Sequence, residues 1–360
     1  MKLASILDGN RERIVVAVDE NHVVDVNDLL GQDVARRRAA VPDMLALIES
    51  GAPLLADLAT ALDSFRAGLS AASPDAARPD AVKPGAARPG AAQPDAARPS
   101  AAHLIPTAQI IWRPPVRRPG KICGVAMNNS ASNARKISAP SHPAFFLKPA
   151  SCLVGHREPI RIHDYYGSTH PEPELAVVIG RRTREVPVET ALDAVFGYSI
   201  FNEITSNGMR AEDLFHYYAL YASKDDPEKL ERVEQHLSYA GRYKGSDTFG
   251  PMGPWLVTRD EVPNPDDLEV SCRVAGETVA EDSTRYFNYN VAAVIAFISR
   301  FQTLEPGDVI SMGTAFKAGA GRRSIHLANL ARTAGPVEVS ISGLGTLQNP
   351  VEFIASGPPR

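Results

Sequence analysis

Period-two alternation dominates the chain beyond residue 105. Leu268, Val270, Cys272 and Val274 alternate with Glu269, Ser271 and Arg273, and Val337, Val339 and Ile341 alternate with Glu338, Ser340 and Ser342. Both segments predict half-buried strands. Residues 175–179 are an unbroken apolar run ended by Gly180, which predicts a strand covered on both faces. Three- and four-residue apolar spacing predicts helices over 188–195, 227–239 and 291–301. Ahead of these, 13–18 and 22–26 read as a β-hairpin turning at Asp19-Glu20-Asn21. Residues 42–50 and 54–65 read as two helices parted by Gly51-Ala52-Pro53. The sum is an α+β protein, predominantly β, without the regular βαβ alternation of a nucleotide-binding fold.

One stretch follows neither period. Pro74, Pro79, Pro84, Pro89, Pro94 and Pro99 recur every five residues among alanine pairs, with no aromatic residue between them. Such a segment cannot bury enough apolar surface to offset its ordering entropy, and proline blocks helix. The expected organisation is therefore a small N-terminal α/β module over 1–71, a disordered Ala/Pro-rich linker over 72–103, and a main domain over 104–360.

Composition narrows the class. The 360 residues are 44% hydrophobic and 22% charged, with a net charge of −4, which argues against a nucleic-acid partner. The longest apolar run, 291–298, is far short of the ~18 residues a membrane span needs. The chain turns polar by Asp8, unlike a signal peptide, and Cys123, Cys152 and Cys272 share no metal or disulfide spacing. A cytoplasmic location without membrane contact is expected.

The strongest chemical signal is His170-Pro171-Glu172-Pro173-Glu174, directly before the buried run. In extended chain His170, Glu172 and Glu174 share one face. The two prolines remove backbone donors and confine the segment to an edge or an irregular strand end. Carboxylates about 7 Å apart on one face repel unless a cation lies between them, and hard oxygen donors suit Mg²⁺, Mn²⁺ or Ca²⁺. Glu203, in Phe201-Asn202-Glu203-Ile204-Thr205 after a second apolar stretch, is a further donor.

These residues belong to an ordered series. Glu172-Pro173-Glu174-Leu175-Ala176-Val177-Val178-Ile179-Gly180, Gly197-Tyr198, Asn202-Glu203-Ile204-Thr205, Lys244-Gly245-Ser246-Asp247-Thr248-Phe249, Gly250-Pro251-Met252-Gly253-Pro254, Leu304-Glu305-Pro306-Gly307-Asp308 and Gly313-Thr314 together resemble the fumarylacetoacetate hydrolase family. Phe146-Leu147-Lys148-Pro149, Ser151 and Gly155 match its early segment, and the resemblance spans about residues 117–353. It implies a mixed β-roll or sandwich catalytic domain behind a small N-terminal module, usually homodimeric. It also implies a Mg²⁺ ion, or Mn²⁺ or Ca²⁺, held by Glu172, Glu174 and Glu203. The family's third ligand is usually Asp, so Glu203 departs by one methylene. By the same resemblance Lys244 faces the substrate's developing negative charge, Thr314 meets a substrate carboxylate, and Lys148 and Ser151 lie near the site.

Three carboxylates leave roughly three positions of a six-coordinate ion open, enough for a chelating 2-oxo or 1,3-diketo acid. The ion polarises the ketone and stabilises an enolate. The resemblance thus implies C–C cleavage in an acylpyruvate-type substrate, as in aromatic catabolism. An isomerase, decarboxylase or hydratase on the same scaffold, or a catalytically idle metal- and acid-binding relative, are the alternatives. The choice turns on the base. Where hydrolytic members carry a His and a Glu, alignment on Asn128 places Ser132 and Arg135, and neither takes a proton from water. His170 is then either a substitute acid–base group or a hydrogen-bond partner that orients a ligand carboxylate. Residues 210–243 are longer than the motif spacing requires. They combine the aromatic run 215–221, with His216 a second base candidate, and a charged segment expected to be helical; the insertion reads as a site cover or a dimer contact. Arg322 and Arg323, after Gly319-Ala320-Gly321, are candidates for an anionic substrate.

Overall fold

The alternating segments assemble into two main sheets. The computed structural model describes residues 1–31, 40–71, 104–315 and 325–355; the expected 72–103 linker and the Arg322-Arg323 pair lie outside the described residues. Among these, twelve strands form the central sheet. Its middle runs, in spatial order, Lys2–Asp8, Gly250–Thr258, Val195–Ser206, Thr169–Ile179, Val309–Ser311 and Ile122–Ala126. Neighbours are antiparallel except for the last pair. A four-stranded antiparallel sheet is built from Glu277–Ser283, Glu269–Val274, Val337–Ile341 and Gly345–Asn349, which contains both alternating runs. Val270, Cys272, Val274, Val337, Val339 and Ile341 bury their apolar face in one core with Leu175, Val177 and Ile179 from the central sheet. The mostly β architecture agrees with the reading from periodicity.

The expected N-terminal hairpin forms from Arg11–Ala17 and His22–Asp25. Asp19 fixes its turn by accepting from the backbone N–H of Asn21 (2.7 Å) and His22 (2.9 Å). Through Lys2–Asp8 these strands continue the central sheet, because Lys2 and Leu3 pair with Val257 and Leu256. The two expected helices form Met44–Ala71, interrupted by non-helical Gly51 at φ 68°. By length and composition this helix could cross a membrane. Here, however, Leu47, Ile48, Leu54, Leu58, Leu62 and Phe65 pack on Ile14, Val16 and Val24 of the sheet.

Residues 227–239 do not form the expected charged helix. Leu230–Leu237 is a strand paired antiparallel with Phe215–Ala222. Leu230, Val233 and Leu237 fall at helical spacing, but the β-prone aromatic strand beside them supplies a full ladder of backbone partners, and pairing overrides the local pattern. Val188–Ala194 is a 3₁₀ helix, and Val291–Ser299 is the expected α-helix, capped by the Asn290 side chain on the Ala293 N–H.

Candidate metal centre and its cavity

Strand register builds the acidic cluster. Glu172 and Glu174 lie two residues apart on Thr169–Ile179, and Glu172 is directly opposite Glu203 on Val195–Ser206. Side chains so placed share a face, with Cβ atoms about 5 Å apart. One oxygen from each of the three carboxylates lies within 4.8 Å of the others. The prolines between them cost the sheet little. Residues 171 and 173 turn their backbone groups away from Val195–Ser206, toward the side where Val309–Ser311 pairs only with residues 176–178. There the Pro173 carbonyl accepts from the Ala315 N–H (2.9 Å) instead. The edge-like character expected of this segment is thus confined to one side of an otherwise central strand.

Each carboxylate is held differently. Glu174, fully buried, accepts from Ser311 Oγ (2.5 Å), the Gly313 N–H (3.0 Å) and Thr314 Oγ1 (3.2 Å). Burial, reinforced by Glu203 and Glu172, pushes its carboxyl up to about 8. Burial also pushes Glu172 upward, but the Lys244 ammonium and His170 outweigh it and hold this carboxyl well below the usual range. Lys244 Nζ donates to Glu172 (2.7 Å), Glu203 (2.5 Å) and Thr205 Oγ1 (2.7 Å), using its three donors. Burial opposes its charge, yet the three glutamates raise its affinity for the proton. Glu203 Oε1 is buried with no aligned donor among the described residues, although Lys148 Nζ lies 3.2 Å away. A buried carboxylate oxygen without a hydrogen bond, beside a second carboxyl whose ionisation is suppressed, is the donor set a hard divalent cation satisfies.

The cluster forms the floor of a cavity of about 550 Å³, also lined by Asn128, Ser132, Arg135, Phe146, His170, Asn207, Arg210, Tyr243, Thr314 and His326. A larger cleft of about 780 Å³ is lined by Ile48, Leu55, Phe196 and Pro263. Of its charged lining residues Asp193 and Arg259 pair with each other at 3.1 Å.

The geometry brings Glu172, Glu174, Glu203, Lys244, His170 and Thr314 together at one cavity. Lys148 sits behind that wall, donating to the Phe249 (3.2 Å) and Lys244 carbonyls. Ser151 lines a different depression, with Arg113, Arg117 and Glu158. Lys148 nonetheless lies beside the acidic cluster, its Nζ 3.2 Å from Glu203 Oε1, while neither its side chain nor that of Ser151 lines the cavity. Ser132 is buried and donates to the Asn129 (2.6 Å) and Met127 (3.1 Å) carbonyls. His216 stacks on His236 across the hairpin, away from the cavity lining. Sequence reasoning missed His326, whose ring meets His170 edge-on at 5.1 Å and whose Nε2 lies 3.0 Å from Arg135 Nη1. Guanidinium only donates, so His326 Nε2 accepts and carries no proton. Burial, then His170 and Arg135, make His326 harder to protonate than an ordinary imidazole.

A sequence model of the fumarylacetoacetate (FAA) hydrolase C-terminal region matches residues 121–352, which contain every residue of the acidic cluster. The mitochondrial oxaloacetate tautomerase fahd2 of Xenopus laevis is 31% identical over 251 residues, 69% of this chain and 70% of that protein. Fumarylacetoacetate hydrolase of Exiguobacterium antarcticum superposes with a TM-score of 0.66 at 25% identity, covering 98% of this chain and 100% of that one. Maleylpyruvate hydrolase of Sphingobium sp. SYK-6, solved with manganese(II) and pyruvate, shares the fold at 24% identity, with a TM-score of 0.63 and coverage of 98% and 99%. With its mostly β architecture and its ordered motifs, the chain belongs to the fumarylacetoacetate hydrolase family.

Proposed function

We propose that this protein is a divalent-metal-dependent enzyme acting on a 2-oxo or 1,3-diketo acid, cleaving a C–C bond of an acylpyruvate-type substrate. The observation that carries the reading is the convergence of Glu172, Glu174 and Glu203 within 4.8 Å at the floor of an accessible cavity, with Lys244 bonded to two of them. Magnesium or manganese held there supplies Lewis-acid polarisation of a ketone oxygen. Support for such an ion comes from the donor set itself and, by family likeness, from the manganese in the Sphingobium hydrolase.

The surrounding residues do the rest. Lys244, fixed through Thr205, sets a positive charge beside the ligands, where oxygen gains negative charge as the bond next to the ketone breaks. His170 Nε2 lies 3.2 Å from Glu172 Oε1; a carboxylate only accepts, so the ring proton resides on Nε2 and orients that ligand. Among the imidazoles lining the cavity, His326 has its unprotonated Nε2 toward Arg135, and we assign it as the group that takes up a proton once that bond is exchanged for substrate. Thr314 steadies Glu174 from the cavity side.

A second reading, keto–enol tautomerisation or decarboxylation of a 2-oxo acid, is favoured by one specific observation. Ser132 is engaged with backbone carbonyls, and Arg135 stands where a water-activating carboxylate would be, so neither of these two side chains prepares a water molecule. The test is a panel of acylpyruvates, oxaloacetate and unsaturated 2-oxo diacids, with Mg²⁺ or Mn²⁺ and then with chelator, followed by ultraviolet absorbance and product analysis. Metal-dependent release of pyruvate and a second acid from an acylpyruvate supports cleavage, pyruvate with CO₂ from oxaloacetate supports decarboxylation, and loss of the enol band without carbon loss supports tautomerisation. No metal-dependent change with any member rejects both. We also infer a homodimer. A lone two-stranded hairpin is marginal in water, and Phe215, Tyr218, Leu220 and Leu230 of this one are exposed, a surface suited to a second copy. A monomer by light scattering at micromolar concentration rejects that part.

A further inference from the structure

Away from the cavity, the hairpin of Phe215–Ala222 and Leu230–Leu237 carries another group of side chains able to ligate a metal. His216 and His236 stand directly opposite each other in its register, and their rings stack at a centroid distance of 4.1 Å and an angle of 8°. Cβ atoms at opposite positions are about 5 Å apart, a span across which two imidazoles can share one ion about 2.1 Å from each nitrogen. Glu234, two residues before His236 and on the same face, bonds His216 Nε2 at 2.5 Å. A carboxylate only accepts, so the ring proton lies on Nε2, and Nδ1 of the neutral ring keeps its lone pair. Among the described residues nothing bonds that nitrogen. A histidine that donates one ring N–H to a carboxylate and presents its other nitrogen bare is arranged as metal-ligating imidazoles are. All three side chains are exposed, so the stacked rings can turn toward a common ion on the open side.

We propose that His216 and His236 form a metal site separate from the glutamate cluster, for an imidazole-preferring divalent ion of the Zn²⁺, Ni²⁺ or Cu²⁺ class, with Glu234 orienting His216 from outside the coordination shell. Two nitrogen donors with water at the remaining positions disfavour Mg²⁺, which takes oxygen ligands, so the two sites select different ions. The ion ties opposite positions of two strands together. A two-stranded hairpin is marginal in water, and this one runs at both ends into residues that line the cavity, Arg210 before it and Ala240 after it. Metal at the histidines therefore steadies the segment from which part of the cavity wall is built.

The test uses the full-length protein, stripped with chelator and then kept in excess Mg²⁺ to occupy oxygen-donor sites. Calorimetric titration with Zn²⁺ should show a binding event that His216→Ala and His236→Ala each weaken at least about 10-fold. Glu234→Ala, which leaves both rings but no longer fixes the tautomer of His216, should weaken it about 10-fold. Glu234→Gln, whose side-chain carbonyl still accepts the ring proton, should retain most of the affinity. Cu²⁺ in place of Zn²⁺ should give a paramagnetic resonance spectrum coupled to two imidazole nitrogens, reduced to one in His236→Ala. With Zn²⁺ at about 100 times its Kd, amide exchange across the hairpin should slow by up to about 100-fold, since only paired strands hold the ion. Thermal melting verifies that each variant is folded. Equal Zn²⁺ affinity in His236→Ala and the unaltered protein, or a Cu²⁺ spectrum without two-nitrogen coupling, would overturn the site. Zn²⁺ binding at the histidines with unchanged amide exchange would overturn its role in steadying the hairpin.

Discussion

Glu174 offers a quantitative test of the metal centre. Its carboxyl is buried, faces Glu203 and Glu172, and ionises only near pH 8. At pH 7 such a group is roughly nine-tenths protonated, so a divalent ion that takes it as a ligand expels about 0.9 proton at pH 7 and about 0.1 at pH 9. Glu172, held well below its usual range, is already ionised and contributes none. Apparent metal affinity should therefore rise about tenfold per pH unit up to pH 8 and flatten above it. Without metal the sign for stability is opposite. The folded-state value lies above the ordinary 4.5, so Glu174's contribution is fully present below pH 4.5 and is lost as pH rises to about 8, a loss on the order of 5 kcal/mol. Calorimetry of Mg²⁺ or Mn²⁺ binding in buffers of different ionisation enthalpy reads the proton count, and melting of chelated protein reads the stability. Glu174→Gln should abolish the proton release and flatten the melting profile between pH 5 and 8. Proton release near zero at pH 7 in the unaltered protein, or the same release in the variant, would refute the assignment of Glu174 as a protonated ligand displaced by metal.

Lys244→Met removes a cation bonded to two of the carboxylates, so metal affinity should hold or rise while kcat/KM falls about 10²- to 10³-fold, as for loss of an oxyanion donor; equal loss of both would make the lysine merely structural. His170→Asn should leave metal affinity within about threefold and lower turnover about a hundredfold, because Glu172 keeps Lys244 but loses the ring that orients it; unchanged turnover removes His170 from the machinery. Gly313→Ala places a Cβ 2.9 Å from both Asn128 Cβ and the Val125 carbonyl oxygen, at φ +95°. It should destabilise the fold by about 1–3 kcal/mol in urea melts and weaken metal binding through the displaced N–H on Glu174, whereas a neutral result would show that this loop yields freely.

What the sequence disclosed follows the range of the interactions involved. Glu172 and Glu174 could be placed on one face because strand periodicity is local and the apolar run 175–179 fixes which face is buried. The opposition of Glu203 to Glu172 is a matter of register between two separate strands, which alternation alone does not set; the resemblance supplies Glu203 as a ligand. The hairpin departs from the expected helix for the converse reason. Leu230, Val233 and Leu237 carry helical spacing, and only the adjacent Phe215–Ala222 strand makes extended chain the better solution. His326 had no signal at all. Arg135 and His326 meet across 191 residues, and no spacing rule reaches that far.

The departure at Ser132 and Arg135 also orders the chemistry. A hydrolase must deprotonate water, whereas a tautomerase need only move a proton between carbon and oxygen of a substrate already held. In this protein the wall that would prepare water instead holds a serine bound to two backbone carbonyls and an arginine bound to an imidazole. If His326, on another segment, is the proton acceptor as proposed, its Nε2 is covered by Arg135 until something displaces that guanidinium. A substrate carboxylate is such a competitor: it binds guanidinium more strongly than a neutral imidazole does and would free Nε2 as it docks. Proton transfer would then depend on that carboxylate, so truncating it should lower kcat as well as raise KM. If truncated substrates lose only affinity and keep full turnover, Arg135 does not cover the base and His326 acts independently of substrate docking.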